Sequence, residues 1–307
     1  MLLSDKNKSL IALFFSAMFF GSTFLVVKNL LDIFTPTFVV FMRYLIAAFF
    51  FLLIGGIPKK KTIGPGILMG FFLWLGYISQ TQGLVTTSTI NSGVVTGFYV
   101  VLTPFFSRAI NKTVLGRNNY VYSILGFFGI VLISITDFSQ IFGNIFTFIC
   151  AIAYAMHIVF VERYVKNLSI SQLMAVQSIT GAILCLPLLK INEFSNLMEY
   201  VLPIAFLGLV VNVGAFYLQL YGQKIIKAST SALILSLEAI FALFIGIVIA
   251  GEILGLINWL GVLLVLLSIF LCQGIISNIT GGNSEAPLCV PSGQRVTFHR
   301  KISSLMF

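Results

Sequence analysis

Of the nine acidic residues in this 307-residue chain, one sits deep inside an apolar stretch: Glu238, in GQKIIKASTSALILSLEAIFALFIGIVIAGE from Gly222 to Glu252. A charge at bilayer depth costs about 2.5–3.5 kcal/mol on insertion scales. Such a group turns toward a bundle interior or a wet cavity, and by default it marks a functional site. Two chemistries are open to Glu238: binding a cationic group of a solute, or carrying a proton. The competing reading is a protonated or partnered carboxyl that only ties helices together.

Other polar residues lie at helical spacing within apolar runs. Ser88, Ser92, Thr96, Tyr99 and Thr103 recur at steps of four, four, three and four, which places all five on one helical face. A polar stripe in a membrane helix faces a packed neighbour or a watery path. Asn91 lies beside it, and Pro104 is expected to bend the helix or weaken its end. Trp74, Tyr77 and Gln80 share one apolar run, and Asn212, Tyr217 and Gln219 another. Thr23 follows Gly21 and Ser22, small residues suited to close helix packing or to lining a cavity. His157 stands one turn from Tyr154; it reads as a hydrogen-bonded packing residue or as a group for binding or proton exchange. Arg43 falls within a span, where it either snorkels to the interface or meets a solute. Ser231, Glu238, Ala242 and Gly246 share a face that is otherwise small.

The composition says what must position these groups. The chain is 59% hydrophobic and 9% charged, with a mean hydropathy of +1.06. A water-soluble surface requires far more charge. Ten apolar blocks are predicted to span, at 9–28, 36–55, 65–84, 89–109, 119–136, 141–161, 169–188, 200–220, 228–250 and 255–276. Backbone groups in lipid must be satisfied internally, so the blocks are helices. The first is about full spanning length, lacks a clear small-residue cleavage site and precedes many more, so it is read as a span and not a signal peptide.

The net charge of +9 does not point to nucleic acid. With the N-terminus inside, fifteen Lys and Arg fall in cytoplasmic segments against Lys28 and Lys190 outside, so both termini are expected in the cytoplasm. Cys150, Cys185, Cys272 and Cys289 lack CxxC spacing and read as small buried hydrophobes. His299 lies in the tail, so a histidine metal site has no obvious second ligand. No metal or cofactor is expected. The stretch 277–307 is rich in Gly, Pro and Ser and reads as a disordered cytoplasmic tail.

The chain also repeats. At an offset of 134, Phe20 aligns with Tyr154, Thr23 with His157 and Thr35 with Ser169; at 139, Gln80 aligns with Gln219, Ser92 with Ser231 and Tyr99 with Glu238. The halves are 1–137 and 138–276. Five helices per copy is an odd number, so the second copy enters from the opposite side. That is an inverted-topology repeat, which in secondary transporters places the site near the midplane.

FFGSTFLVVK, FMRYLIAA, STINSGVVTGFYVVLTP, AIAYAMHIVFVERYVKN and ASTSALILSLEAIFALFIGIVIAGE together resemble the drug/metabolite transporter superfamily, in particular its EamA-type members. Phe20 stands where the family usually has Trp, and Ala239 where proline commonly follows the glutamate, which implies a straighter ninth helix. The resemblance implies an all-α integral membrane fold of ten helices in two inverted five-helix repeats around a central cavity.

The expected function is secondary transport, by alternating access, of a small organic metabolite such as an amino acid across the cytoplasmic (inner) membrane, in the direction of export. Import or exchange of a larger metabolite, such as S-adenosylmethionine or a nucleotide-linked compound, is the alternative; a non-transporting sensor or structural protein is a different class. The expected partners are the solute, the lipid bilayer and, as a coupling ion, protons; oligomeric state is unread. No GxxxxGK[ST] phosphate loop occurs. An intramembrane enzyme would need a paired nucleophile and base, which His157 and Glu238 do not supply. The path candidates are Glu238, Tyr99, Asn91, Ser92, Thr96, Gln80, Trp74, Tyr77, Thr23, His157, Gln219 and Ser231, with Glu238 the candidate for proton coupling.

Overall fold

A computed structural model describes residues 4–113, 118–135 and 138–272. The tail expected at 277–307 lies outside the described residues. Every element among the described residues is helical.

The first half contributes α1 (Asp5–Leu30), α2 (Pro36–Gly55), α3 (Lys60–Leu84), α4 (Thr89–Gly97), α5 (Tyr99–Asn111) and α6 (Asn118–Ile135). The second contributes α7 (Ile141–Tyr164), α8 (Ile170–Cys185), α9 (Val201–Ala205), a π-helical stretch Phe206–Ala215, α10 (Phe216–Gln223), α11 (Ala228–Leu235), α12 (Leu237–Val248) and α13 (Leu256–Cys272). Among the described residues, eight helices are long and apolar enough to cross a membrane, five of them running on through these element boundaries as Thr89–Asn111, Ile141–Asn167, Ile170–Leu188, Val201–Gln223 and Ala228–Val248. Two shorter apolar helices, 120–133 and Leu256–Ile269, lie in α6 and α13. Large apolar side chains such as Phe49, Leu53, Phe128 and Phe244 are turned outward, as a lipid-facing surface requires.

Local sequence sets the helix starts. Ser4 caps α1 by accepting from the Asn7 N–H at 3.3 Å, and Thr35 caps α2 with Pro36 in the first turn. Ser88 caps α4 by accepting from the Asn91 N–H at 3.1 Å. Carboxylates reinforce two of these ends. Glu193 accepts from the Thr35 N–H and hydroxyl, both at 2.9 Å. Glu252 accepts from the Thr89 and Ile90 N–H groups at 2.7 and 3.0 Å, answering the positive end of α4. Near that same end, Lys28 donates to the carbonyls of Leu84 and Thr87, both at 2.7 Å.

The packing pairs correspond when the two halves are exchanged. α3 lies along α7 as the Val201–Gln223 segment lies along α1; α1 meets α12 as α7 meets α5; α2 packs on α8, α4 on α12, α5 on α11, and α6 on α13. Small residues set the closest approaches. A Cβ on Gly21 of α1 would land on the Cβ of Phe241 and the Glu238 carbonyl, and one on Gly93 of α4 would land on the Ala242 Cβ. The small face of α12 is therefore a packing face.

Two spans read as continuous in the sequence are interrupted. α4 gives way to α5 at Phe98, and α11 to α12 at Ser236. Both breaks are tightened turns: the Phe98 N–H reaches back three residues to Val95 O, and the Ala239 N–H three residues to Ser236 O. The second break occurs without proline, so Ala239 does not leave this span uninterrupted.

Candidate functional site

The breaks fall immediately before two pseudo-equivalent residues. Tyr99 is the first residue of α5 and Glu238 the second of α12. Both are buried, at 2% and 3% exposure. The Glu238 Oε1 atom is buried with no hydrogen-bond partner.

They face a cavity with about 430 Å³ of space unfilled by atoms, its open mouth included. Of the sequence candidates, Glu238, Tyr99, Gln80, Tyr77, Thr23, His157 and Gln219 line it. The lining obeys the repeat: Phe20 with Tyr154, Thr23 with His157, Phe24 with Ile158, Tyr77 with Phe216, Gln80 with Gln219, and Tyr99 with Glu238 stand 134 or 139 positions apart. Only Arg43 and Leu235 line it without their counterparts, Gln177 and Thr96.

The remaining candidates do not line this cavity. Asn91 is at the α4 start, donating to Gln140 Oε1 at 2.9 Å. Ser92 is wholly buried with its hydroxyl unpartnered. Thr96 stands behind the wall, accepting from Gln80 Nε2 at 3.3 Å. Ser231 is buried and donates to the Ile226 carbonyl at 3.4 Å. Trp74 packs toward Phe71, with ring centroids 6.1 Å apart. The stripe on the Thr89–Asn111 span is therefore mainly a packed face, and within it only Tyr99 opens onto the cavity. Spacing identifies a face; it does not say what covers it.

Arg43 does not snorkel. It is 1% exposed, its Nε donates to Asn212 Oδ1 at 3.1 Å, and its guanidinium lies 3.8 Å from the centre of the Tyr77 ring. The Tyr77 hydroxyl donates to the same Asn212 oxygen at 2.8 Å. Asn212 comes from the π-helical stretch, at whose end Ser16 of α1 donates to the Ala215 carbonyl at 2.8 Å. Opposite, the His157 Nε2 donates to Gln177 Oε1 at 2.8 Å, and Gln177 Nε2 reaches Met174 Sδ at 3.3 Å. His157 is thus a hydrogen-bonded residue that also lines the cavity.

Arg43, Tyr154 and Phe216 line the cavity although they were not among the path candidates. Carrying every candidate across the repeat would have found Phe216 from Tyr77; Tyr154 pairs with Phe20, which was not a candidate either. Among the described residues no group of three His, Cys, Asp or Glu could hold a metal. Cys150 and Cys185 are buried free thiols.

The profile of the EamA-like transporter family matches this chain twice, over residues 7–135 and 141–273. The chain belongs to this family. As an EamA-like transporter it is a multi-pass membrane protein, consistent with the drug/metabolite transporter superfamily. A relative from Archaeoglobus fulgidus described as an uncharacterized transporter is 31% identical over 257 residues, covering 83% of this chain and 82% of its own. The Bacillus subtilis uncharacterized transporter YyaM is 24% identical over 280 residues, covering 85% and 92%. A solved crystal structure at 13% identity shares the fold, with a TM-score of 0.62 over 88% of this chain and 98% of that one.

Proposed function

We propose that this EamA-like protein is a secondary transporter exporting small organic metabolites, such as amino acids, across the cytoplasmic membrane. It works by alternating access between two inverted five-helix repeats, 1–137 and 138–276, with both termini in the cytoplasm. The observation that carries this reading is the lining itself. Six repeat-related pairs of side chains converge on one cavity, and two of their members, Tyr99 and Glu238, follow closely on breaks in their spans. The exchangeable packing pairs support it further, because a pseudo-symmetric bundle can trade one open side for the other with little change in contact area.

In this reading Glu238 is the working carboxyl, set against Tyr99, with Gln80, Gln219, Thr23 and His157 as neutral hydrogen-bonding walls. It binds a cationic group of the solute, or it takes up and releases the coupling proton. Purified protein in proteoliposomes separates the two roles. Glu238→Gln is expected to abolish net transport driven by a pH gradient. If the carboxyl carries only the proton, solute exchange across the membrane survives in this variant. If it binds the solute's cation, exchange falls as well. Unchanged transport with unchanged pH dependence would remove Glu238 from the mechanism.

A further inference from the structure

Arg43 is the one lining position whose chemistry breaks the repeat most sharply. Its counterpart Gln177 is neutral, with both ends of its amide engaged. Arg43 is cationic, and its two terminal nitrogens, Nη1 and Nη2, are buried with no hydrogen-bond partner. The guanidinium stays charged in proteins, so it cannot escape the cost by losing a proton. No carboxylate of a described residue forms an ion pair with it. Glu238 lines the same cavity, and its Oε1 is also unpartnered.

The group is held ready. The bond from Nε to Asn212 fixes one edge of the guanidinium, and the Tyr77 ring supports it through the cation–π contact. What is left is the terminal pair of N–H donors, the part of the fork that matches two carboxylate oxygens. A single positive charge suits one carboxylate better than a doubly charged phosphate monoester. Building on the transport reading above, we infer that Arg43 is an anion-reading residue of the solute site and that the transported solute carries a carboxylate.

The test uses the full chain in proteoliposomes loaded with a defined mixture: amino acids, their C-terminal amides, the corresponding amines, simple carboxylic acids and phosphate esters. Efflux is followed by mass spectrometry. Carboxylate-bearing members are expected to leave about tenfold faster than the matching amides, the discrimination available from a charge-assisted hydrogen-bonded pair. Arg43→Gln is expected to remove that preference, and Arg43→Lys, which keeps the charge without the fork, to retain part of it. The wild-type comparison stands by itself if a variant fails to fold. Amides and acids leaving at equal rates, or phosphate esters alone leaving, would overturn the inference and spare the transport reading. An Arg43→Gln protein that transports with its acid-to-amide ratio intact would also overturn it. If no solute of any class moves in the wild type, the transport reading falls, and this inference with it.

Discussion

Two corners of the bundle occupy equivalent places in the two halves and are finished differently: Arg43 lines the cavity, and Gln177 stands outside its lining. At Arg43 the charge is only partly answered: one bond to Asn212, one ring beneath, and two donors left over. At Gln177 the amide reaches His157 on one side and Met174 on the other. A buried polar group left unpaired is costly, and a charged one more so. The neutral corner is complete without a ligand; the charged corner is complete only with one. A repeated scaffold thus supplies both walls, and a few unequal substitutions direct the site: Arg43 against Gln177, Thr23 against His157, Tyr99 against Glu238.

That contrast can be broken at either corner. The largest effect is expected at Asn212, which serves both the Arg43 Nε and the Tyr77 hydroxyl. Asn212→Leu should destabilise the protein by about 3 kcal/mol, because it strands a buried charge, and it should also lower transport. Thermal unfolding of purified full-length protein measures the first effect; a shift no larger than that of an exposed-site control would mean that Asn212 does not hold the guanidinium. Gln177→Leu removes the hydrogen-bond partner of the His157 ring, so a cost of about 1–3 kcal/mol is expected. Preference among solutes should be unaltered, and a change in acid-to-amide selectivity in this variant would make the neutral corner part of recognition. Tyr77→Phe keeps the ring under Arg43 and deletes only the hydroxyl, while Asn212 still accepts from Nε. About 1 kcal/mol is expected, with the carboxylate preference intact. Losing that preference in Tyr77→Phe would move the anion-reading role from the guanidinium to the hydroxyl.

At the opposite end of the scale from these corners, the α4 start shows how far spacing reasoning carries. Ser88, Ser92, Thr96, Tyr99 and Thr103 do share a face, and all but the capping Ser88 are buried. Periodicity located the face correctly, yet it could not tell Tyr99, which reaches the cavity, from Ser92, which is packed away. The difference lies in the partner: α12 presents Ala242 to Gly93 so closely that the neighbouring turns are sealed. Asn91 stays away from the cavity for a related reason. It is near the capped beginning of α4, where Gln140, far away in the sequence, holds it.

The Glu238 carboxyl was legible because hydrophobicity is summed along the chain, and a single acid in a spanning run stands out without knowledge of any neighbour. The spans, their approximate ends and the register of the two halves follow from the same one-dimensional quantities: run length, capping residues and fixed offsets. Which of the polar residues share a cavity could not be read that way. Arg43 illustrates why. Its sequence surroundings allowed a path out to the interface or a turn inward, and the choice depends on Asn212 and Tyr77, 169 and 34 residues away along the chain. The tertiary structure decided it by supplying an acceptor for Nε and an aromatic face for the cation, contacts that exist only once α2, α3 and the Phe206–Ala215 stretch have come together.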